Sequence, residues 1–355
     1  MSLDQAIFMI GDRPVGPKHP PYCIAEVGIN HNGDIDIAKR MVRAAKEANA
    51  DAVKFQTFKA AEFCGDKSQI FTYISRGKIV TEPMLEMFQR YEFNSDQWKE
   101  IKQYCDFNDI KFLSTPQNRS DLDLLIELGL SAIKVGSDDL TNLPLLKDYS
   151  SAKLPMILSC GMADMGEVHQ ALEFAGFYNQ NPVALLLCTS QYPTPIQDVN
   201  LRKISTLRSA YPGLVVGFSD HTQGQLSASV SVGLGASIFE KHFTLSHDFS
   251  GPDHWFSEEP ADLKLWVNSI KNAYLAMGSG LVLPTNSELD MRLIARRSIV
   301  ALNEIFPGEV INSSNVGLRR PGGGLPPILI SDIYGLHAAK KITAGSRLTL
   351  KDFCI

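Results

Sequence analysis

Eight short apolar runs recur along the first three quarters of the chain: Tyr22–Gly28, Ala52–Thr57, Ile110–Pro116, Ala132–Ser137, Met156–Gly161, Val183–Ser190, Val215–His221 and Ser237–Thr244. They are β-branched or leucine-rich and of strand length, and helical periodicity separates them. The first such helix runs from about Asp34 to Ala48, where Ile37, Met41, Ala44, Ala45 and Ala48 form one stripe. Strictly alternating strands and helices make a parallel sheet, and eight such units predict an α/β fold, the (β/α)8 TIM barrel. An open doubly wound sheet is the alternative, but the Gly-x-Gly-x-x-Gly opening and a topological break are both missing.

The flanks differ. Residues 1–20 read as a hairpin, Ile7–Gly16, capping the barrel, which itself spans 21–278. A linker is expected over 279–287, then a small β-rich domain over 288–355 with almost no helix. One stretch of the barrel, about 59–94, reads as an active-site loop with short helices. A chain of 355 residues has room for a large domain and a small one.

Composition excludes more than it assigns. A net charge of −5 without a basic run gives no support to nucleic-acid binding or polybasic membrane attachment. The six cysteines are scattered and form no Cys-x-x-Cys pair, as expected of reduced thiols in a cytoplasmic protein. No basic segment leads into an apolar run at the N-terminus, and no window reaches the ~18–20 apolar residues of a membrane span. The chain is therefore expected to be cytoplasmic, with neither nucleic acid nor membrane as partner.

The chemistry of such a barrel lies at the C-terminal ends of its strands. Those ends are polar here: Glu26, Lys54 with Gln56, Ser114-Thr115, Lys134 with Ser137, Ser190 with Tyr192, Ser219 with His221, and Glu240 with His242. Side chains alternate faces along a strand, so Glu240 and His242 share a face while Lys241 points away. Imidazoles at two neighbouring strand ends can hold a divalent metal. A lysine directed into an apolar barrel is costly unless it meets an anion. Two of them on separate strands suit a ligand carrying phosphate and carboxylate. The residues thus reach a small phosphorylated anion beside a divalent metal, and not the reaction.

The same residues lie in IAEVGINHNG (24–33), DAVKFQT (51–57), FLSTP (112–116), IKVGS (133–137), LSCGM (158–162), CTSQYPTP (188–195), GFSDHT (217–222), FEKHFT (239–244) and GPDH (251–254). In these motifs the chain resembles the sialic acid synthase family, which forms N-acetylneuraminate, legionaminate and pseudaminate. The C-terminal part, with Leu318-Arg319-Arg320-Pro321-Gly322-Gly323-Gly324, resembles that family's antifreeze-like SAF domain.

The resemblance implies condensation of phosphoenolpyruvate with a 2-acetamido-sugar aldehyde to a nine-carbon 2-keto sugar acid and phosphate. By motif position, His221 and His242 would hold the metal, manganese first, with magnesium or cobalt as alternatives. Lys54, Thr115, Lys134, Ser137, Ser190 and Ser219 would hold phosphoenolpyruvate. Glu26, Gln56, Tyr192 and Asp253 would meet the sugar or the metal's surroundings. Glu240 would be the acid/base residue, with Glu26 and Lys54 also counted as catalytic. Arg320 would reach a partner's barrel, implying a domain-swapped homodimer.

The chain departs from the neuraminate-forming pattern at Ser190, usually Asn, at Gln117, usually Phe, and at Asp138-Asp139, usually Gly-Glu. Arg296-Arg297 is similar to legionaminate synthases, whereas intact Gly251-Pro252-Asp253 argues against the pseudaminate branch. The lean is towards 2,4-diacetamido-2,4,6-trideoxymannose, ahead of N-acetylmannosamine. Two other classes stay open. One is a different metal-dependent barrel aldolase or keto-sugar-acid synthase, which would not need Arg320. The other is a non-catalytic carbohydrate-binding protein.

Overall fold

A computed structural model describes residues 6–66 and 68–354. Residues 1–5 of the expected N-terminal hairpin, and Ile355, lie outside the described residues. The chain divides into two compact units, the first ending at Gly278 and the second beginning at Ser279.

The first unit opens with an antiparallel hairpin of β1 (Phe8–Ile10) and β2 (Arg13–Val15). Then come β3 (Tyr22–Gly28) and β4 (Ala52–Thr57), an excursion carrying β5 (Ile70–Ser75) and β6 (Lys78–Pro83), and β7 (Lys111–Pro116). The series ends with β8 (Ile133–Val135), β9 (Met156–Ser159), β10 (Val183–Cys188), β11 (Val215–Ser219) and β12 (Ile238–His242). Strands β3, β4 and β7 to β12 pair in parallel, and β12 returns to β3 to close the barrel. All eight expected runs are barrel strands. Several end one or two residues early, so Ser137, Ser190 and His221 sit just past β8, β10 and β11.

Two-residue alternation gives each strand two jobs. Outward residues such as Ala25, Val53, Phe55 and Phe112 pack under the helices with Met41, Trp98 and Trp266. Inward residues from the N-terminal halves (Tyr22, Ile24, Ala52, Leu113, Ile157, Leu186 and Ile238) fill the barrel interior together with Phe8, Ile10 and Val15 of the hairpin. The hairpin therefore plugs the N-terminal end. It is latched by an ion pair of Arg13 with Asp51, whose Oδ2 also accepts the Cys23 amide at 2.7 Å. The interior is tight: at Gly217 a Cβ would come within 2.3 Å of the Ile238 carbonyl and 2.5 Å of a Leu186 methyl.

The excursion after β4 differs from the expected loop with short helices. Short helices are there, Ala60–Phe63 and Met84–Tyr91, but between them β5 and β6 form a true hairpin. Its turn is Arg76-Gly77, with φ of 51° and 71°. Both are left-handed, the geometry favoured in two-residue hairpins. Arginine is a poor advertisement for that geometry, which is why the turn passes unnoticed in the sequence.

The second unit has its own core, which includes Ile299, Ile305, Ile311, Val316, Ile342 and Leu348. Two small antiparallel sheets contribute, β13 (Ser298–Ala301) with β14 (Val316–Arg319), and β15 (His337–Ala338) with β16 (Phe353–Cys354). The expectation of a linker followed by an almost helix-free domain is corrected by a helix, Asn286–Ala295. Its start is marked by a capping box in which Thr285 and Glu288 satisfy each other's backbone amides. No helix among the described residues is long and apolar enough to cross a membrane.

Candidate active site

At the C-terminal end the inward layer changes from apolar to charged. Following the interior positions Ile24, Ala52, Leu113, Ala132, Ile157 and Ile238 by two residues gives Glu26, Lys54, Thr115, Lys134, Ser159 and Glu240. The site is therefore the next turn of the pleat above the core.

Both lysines are almost fully buried, at 3% and 2% exposure. The Lys54 ammonium lies 2.8 Å from Glu26 Oε2, donates to Thr115 Oγ1 at 3.1 Å, and is 3.8 Å from Glu240 Oε2. The Lys134 ammonium donates to the Val135 carbonyl at 2.9 Å and to Ser159 Oγ at 2.8 Å, and is 3.8 Å from Glu240 Oε1. Glu240 thus stands between the two cations, and Ser219 Oγ donates to its Oε1 at 3.2 Å. Its Oε2 is buried without a hydrogen-bond partner.

The two carboxyls are pushed apart. Burial raises that of Glu26, and the neighbouring Lys54 only partly offsets this. Burial would raise Glu240 as well, but Lys134 and Lys54 outweigh it and hold its carboxyl below the ordinary range. Opposite displacement of two nearby carboxyls gives one that readily carries a proton, Glu26, and one that stays ionised and able to accept one, Glu240.

Two residues beyond Ser219 and Glu240, the imidazoles of His221 and His242 stand with ring centroids 5.5 Å apart. His221 Nδ1 lies 2.8 Å from the Thr189 carbonyl, with Cys188 Sγ at 3.7 Å. A carbonyl can only accept, so Nδ1 carries the proton and Nε2 keeps a free lone pair. His242 Nδ1 is buried with no hydrogen-bond partner. An imidazole with a fixed tautomer beside one with an orphaned nitrogen suits a divalent cation. No set of three His, Cys, Asp or Glu side chains among the described residues forms a ready cage, so water and substrate would complete the shell. Tyr192 covers His221 at 4.1 Å between centroids, and Phe256 lies 5.5 Å from His242.

A second feature suits an anion. A Cβ at Gly161 would fall 2.3 Å from Ser190 Oγ and 2.8 Å from Ser137 Oγ, so glycine keeps open a niche where two hydroxyls converge. The Gly161 amide already donates to Ser137 Oγ at 2.9 Å.

Twelve of the expected residues line one cavity of about 340 Å³: Glu26, Lys54, Gln56, Thr115, Lys134, Ser137, Ser190, Tyr192, Ser219, His221, Glu240 and His242. Asp253 is not among its lining residues. It lies on the half-buried loop after β12, and burial together with the Glu26 charge pushes its carboxyl up to about 7. Arg320 belongs to the second unit, exposed just past β14. The cavity also contains residues that sequence reasoning missed. Ser159 was within reach, two positions beyond the inward Ile157. Phe58, Phe63 and Phe88 come from the excursion and form an apolar wall, with Phe63 and Phe88 edge to face at 5.0 Å.

Comparison with known proteins gives the family and agrees with the fold. The NeuB family model matches residues 41–281, and the SAF domain model matches 296–353. An uncharacterised protein of Methanocaldococcus jannaschii is 41% identical over 91% of this chain and 92% of its own. The N,N'-diacetyllegionaminic acid synthase of Legionella pneumophila is 39% identical over 95% of this chain and 96% of that one. The crystal structure of the N-acetylneuraminic acid synthetase from Leptospira borgpetersenii, in complex with citrate, superimposes with a TM-score of 0.72. It is 30% identical, and the match covers 81% of this chain and 96% of that one.

Proposed function

The chain belongs to the NeuB family of sialic acid-type synthases, and from that premise we propose that it condenses phosphoenolpyruvate with a 2-acetamido-sugar aldehyde, releasing phosphate. The observation that carries this reading is the single cavity in which two buried lysines, a bridging glutamate and a histidine pair converge.

Lys54 and Lys134 hold the phosphate and carboxylate, whose charge takes over part of what Glu26 and Glu240 now neutralise. Thr115, Ser137, Ser190 and Ser219 supply hydroxyl donors around them. A divalent metal, manganese for preference, would be held by His221 and His242 and would supply Lewis-acid polarisation of the aldehyde. C3 of phosphoenolpyruvate attacks the aldehyde carbon, whose oxygen becomes an alkoxide, and water adds to the cationic C2. Glu240, kept ionised by the lysines, takes a proton from that water and returns it to the alkoxide, which becomes a hydroxyl. The bond from C2 to the phosphate oxygen then breaks as the C2 hydroxyl becomes the keto group and passes its proton to the departing phosphate, whose charge the two ammonium groups stabilise. Glu26 and Gln56, joined by a 3.2 Å hydrogen bond, face the sugar with Tyr192, and Asp253 lies beyond them.

For the sugar, the reading favours 2,4-diacetamido-2,4,6-trideoxymannose, giving a legionaminate-type product. The Phe58, Phe63 and Phe88 wall supports it. Methyl and acetyl groups pack against rings, whereas a hydroxyl there would lose water without gaining a partner. The Legionella relative points the same way. The deciding assay measures phosphate release from phosphoenolpyruvate with this sugar, with N-acetylmannosamine and with its 6-phosphate. The diacetamido sugar is expected to give the highest kcat/KM. A higher value for either other sugar refutes the sugar choice, and no release with any of them refutes the condensation.

The proposed assembly is a homodimer in which Arg320 of one subunit serves the barrel of the other. Arg320→Ala is expected to fold and dimerise but lose turnover through the sugar. Mixing it with His242→Ala protein is expected to restore up to one working site per heterodimer. Verified heterodimers without any recovered activity would rule out service in trans.

A further inference from the structure

On the outer face of β12, behind the cavity, lies a buried ionic network that the reaction above does not use. Lys241 is 3% exposed, and its ammonium lies 3.1 Å from Asp220 Oδ2 and 3.3 Å from Glu258 Oε1. It also donates to the Thr222 carbonyl and, at 3.3 Å, to that of Gly224. Asp220 is saturated in turn. Its Oδ1 accepts from the Thr222 amide at 2.9 Å and hydroxyl at 2.7 Å, and its Oδ2 from the Trp266 indole at 2.9 Å. Glu258 Oε1 accepts the Gly224 amide at 3.0 Å.

Such a cluster is an expensive way to hold two strands together, because apolar side chains of similar volume often stabilise as well or better. Its place in the chain suggests what it contributes. Lys241 is flanked by Glu240 and His242, and Asp220 by Ser219 and His221. One ion pair therefore joins the residue before each imidazole, across neighbouring strands that share only a short register, Phe218 with Phe239 and Ser219 with Glu240. The loop that carries His221 past the end of β11 is pinned to β12 by two carbonyls received at one ammonium. Backbone bonds hold its first residues, from the Asp220 amide to the Glu240 carbonyl and from the Thr194 amide to the His221 carbonyl, both at 2.8 Å, and the Lys241 ammonium adds the link from β12 to the loop beyond His221.

We propose that Lys241 and Asp220 are positioning residues that set the separation of His221 and His242 for a divalent cation. The inference rests on the metal reading above. The indole of Trp266, from the helix Pro260–Met277, fixes the carboxylate against which the lysine is aligned.

The test titrates Mn2+ alone into wild-type protein, Asp220→Asn, Lys241→Met, Lys241→Arg and His221→Ala, and measures phosphoenolpyruvate binding to each without metal. Asp220→Asn keeps the shape and leaves Lys241 the Glu258 carboxylate but turns an amide NH2 towards donors, so folding of each variant is verified by thermal melting, and Lys241→Arg, which keeps the charge, serves as the second folded variant. Outer partners of metal ligands typically govern about 10–100-fold of affinity. Asp220→Asn is expected to weaken Mn2+ binding by that order, with phosphoenolpyruvate affinity unchanged and Lys241→Arg nearer to wild type than Lys241→Met. A merely structural role would weaken both ligands together. Folded Asp220→Asn that binds Mn2+ as wild type does overturns the proposal. Wild-type protein whose Mn2+ uptake is absent, or matches that of His221→Ala, overturns the metal reading beneath it.

Discussion

Glu240→Gln is expected to lower kcat by about 10²–10⁴-fold, the range for loss of a positioned acid/base group. Phosphoenolpyruvate should bind no more weakly than before. The sign of the second effect follows from charge. Glu240 lies 3.8 Å from each of the two buried ammonium groups, and neutralising it leaves them with one carboxylate, Glu26, instead of two. The cavity becomes more positive, which favours an anion. The Ser219 hydroxyl that bonds Oε1 can still donate to the amide oxygen, so the side chain keeps its place. Steady-state kinetics with a direct binding measurement decides it. Unchanged kcat with a raised KM for phosphoenolpyruvate would mean that Glu240 shapes the anion site and moves no proton.

Chelation and loss of either histidine should be comparably severe. With two protein ligands there is no redundancy, and Lewis-acid stabilisation is worth several kcal/mol, or roughly 10³-fold in rate. Thorough EDTA treatment is expected to abolish turnover, and Mn2+ to restore it in wild type but not in His221→Ala or His242→Ala. Both variants should still bind phosphoenolpyruvate, because they leave Lys54, Lys134, Thr115 and Ser159 on β4, β8, β7 and β9, and Ser219 at the end of β11, unchanged. Full activity in a chelated sample would remove the metal from the reaction.

Much of this site could be read from the sequence because a barrel strand's inward face continues its core pattern. Once Ala52 is inside, Lys54 and Gln56 must follow, and the same count gives Glu240 and His242 from Ile238. What could not be read depends on chain segments returning from elsewhere. Phe63 and Phe88 reach the cavity only because the excursion folds back on itself, and no periodicity within 58–94 points there. Lys241 could be placed on the outer face by alternation. Its four oxygen partners, however, come from β11's following loop and from Glu258, a set that only three-dimensional closure assembles. The helix Asn286–Ala295 carried its capping box in plain view, obscured by the Gly/Ser/Pro/Thr-rich stretch before it.

The hairpin that plugs the barrel has a kinetic corollary. With Phe8, Ile10 and Val15 packed into the N-terminal end, nothing can enter the cavity from below, and its visitors come in from the side of the strand ends. The lysines, almost fully buried, stand on the layer directly above that core, so on the proposed reading phosphoenolpyruvate enters before the sugar, which closes the way behind it. On that reading departure would run in reverse: the nine-carbon acid would leave first, and phosphate, held by the lysines, last. Retained phosphate would then occupy the berth of the next phosphoenolpyruvate, and turnover is expected to slow as the surrounding phosphate concentration rises.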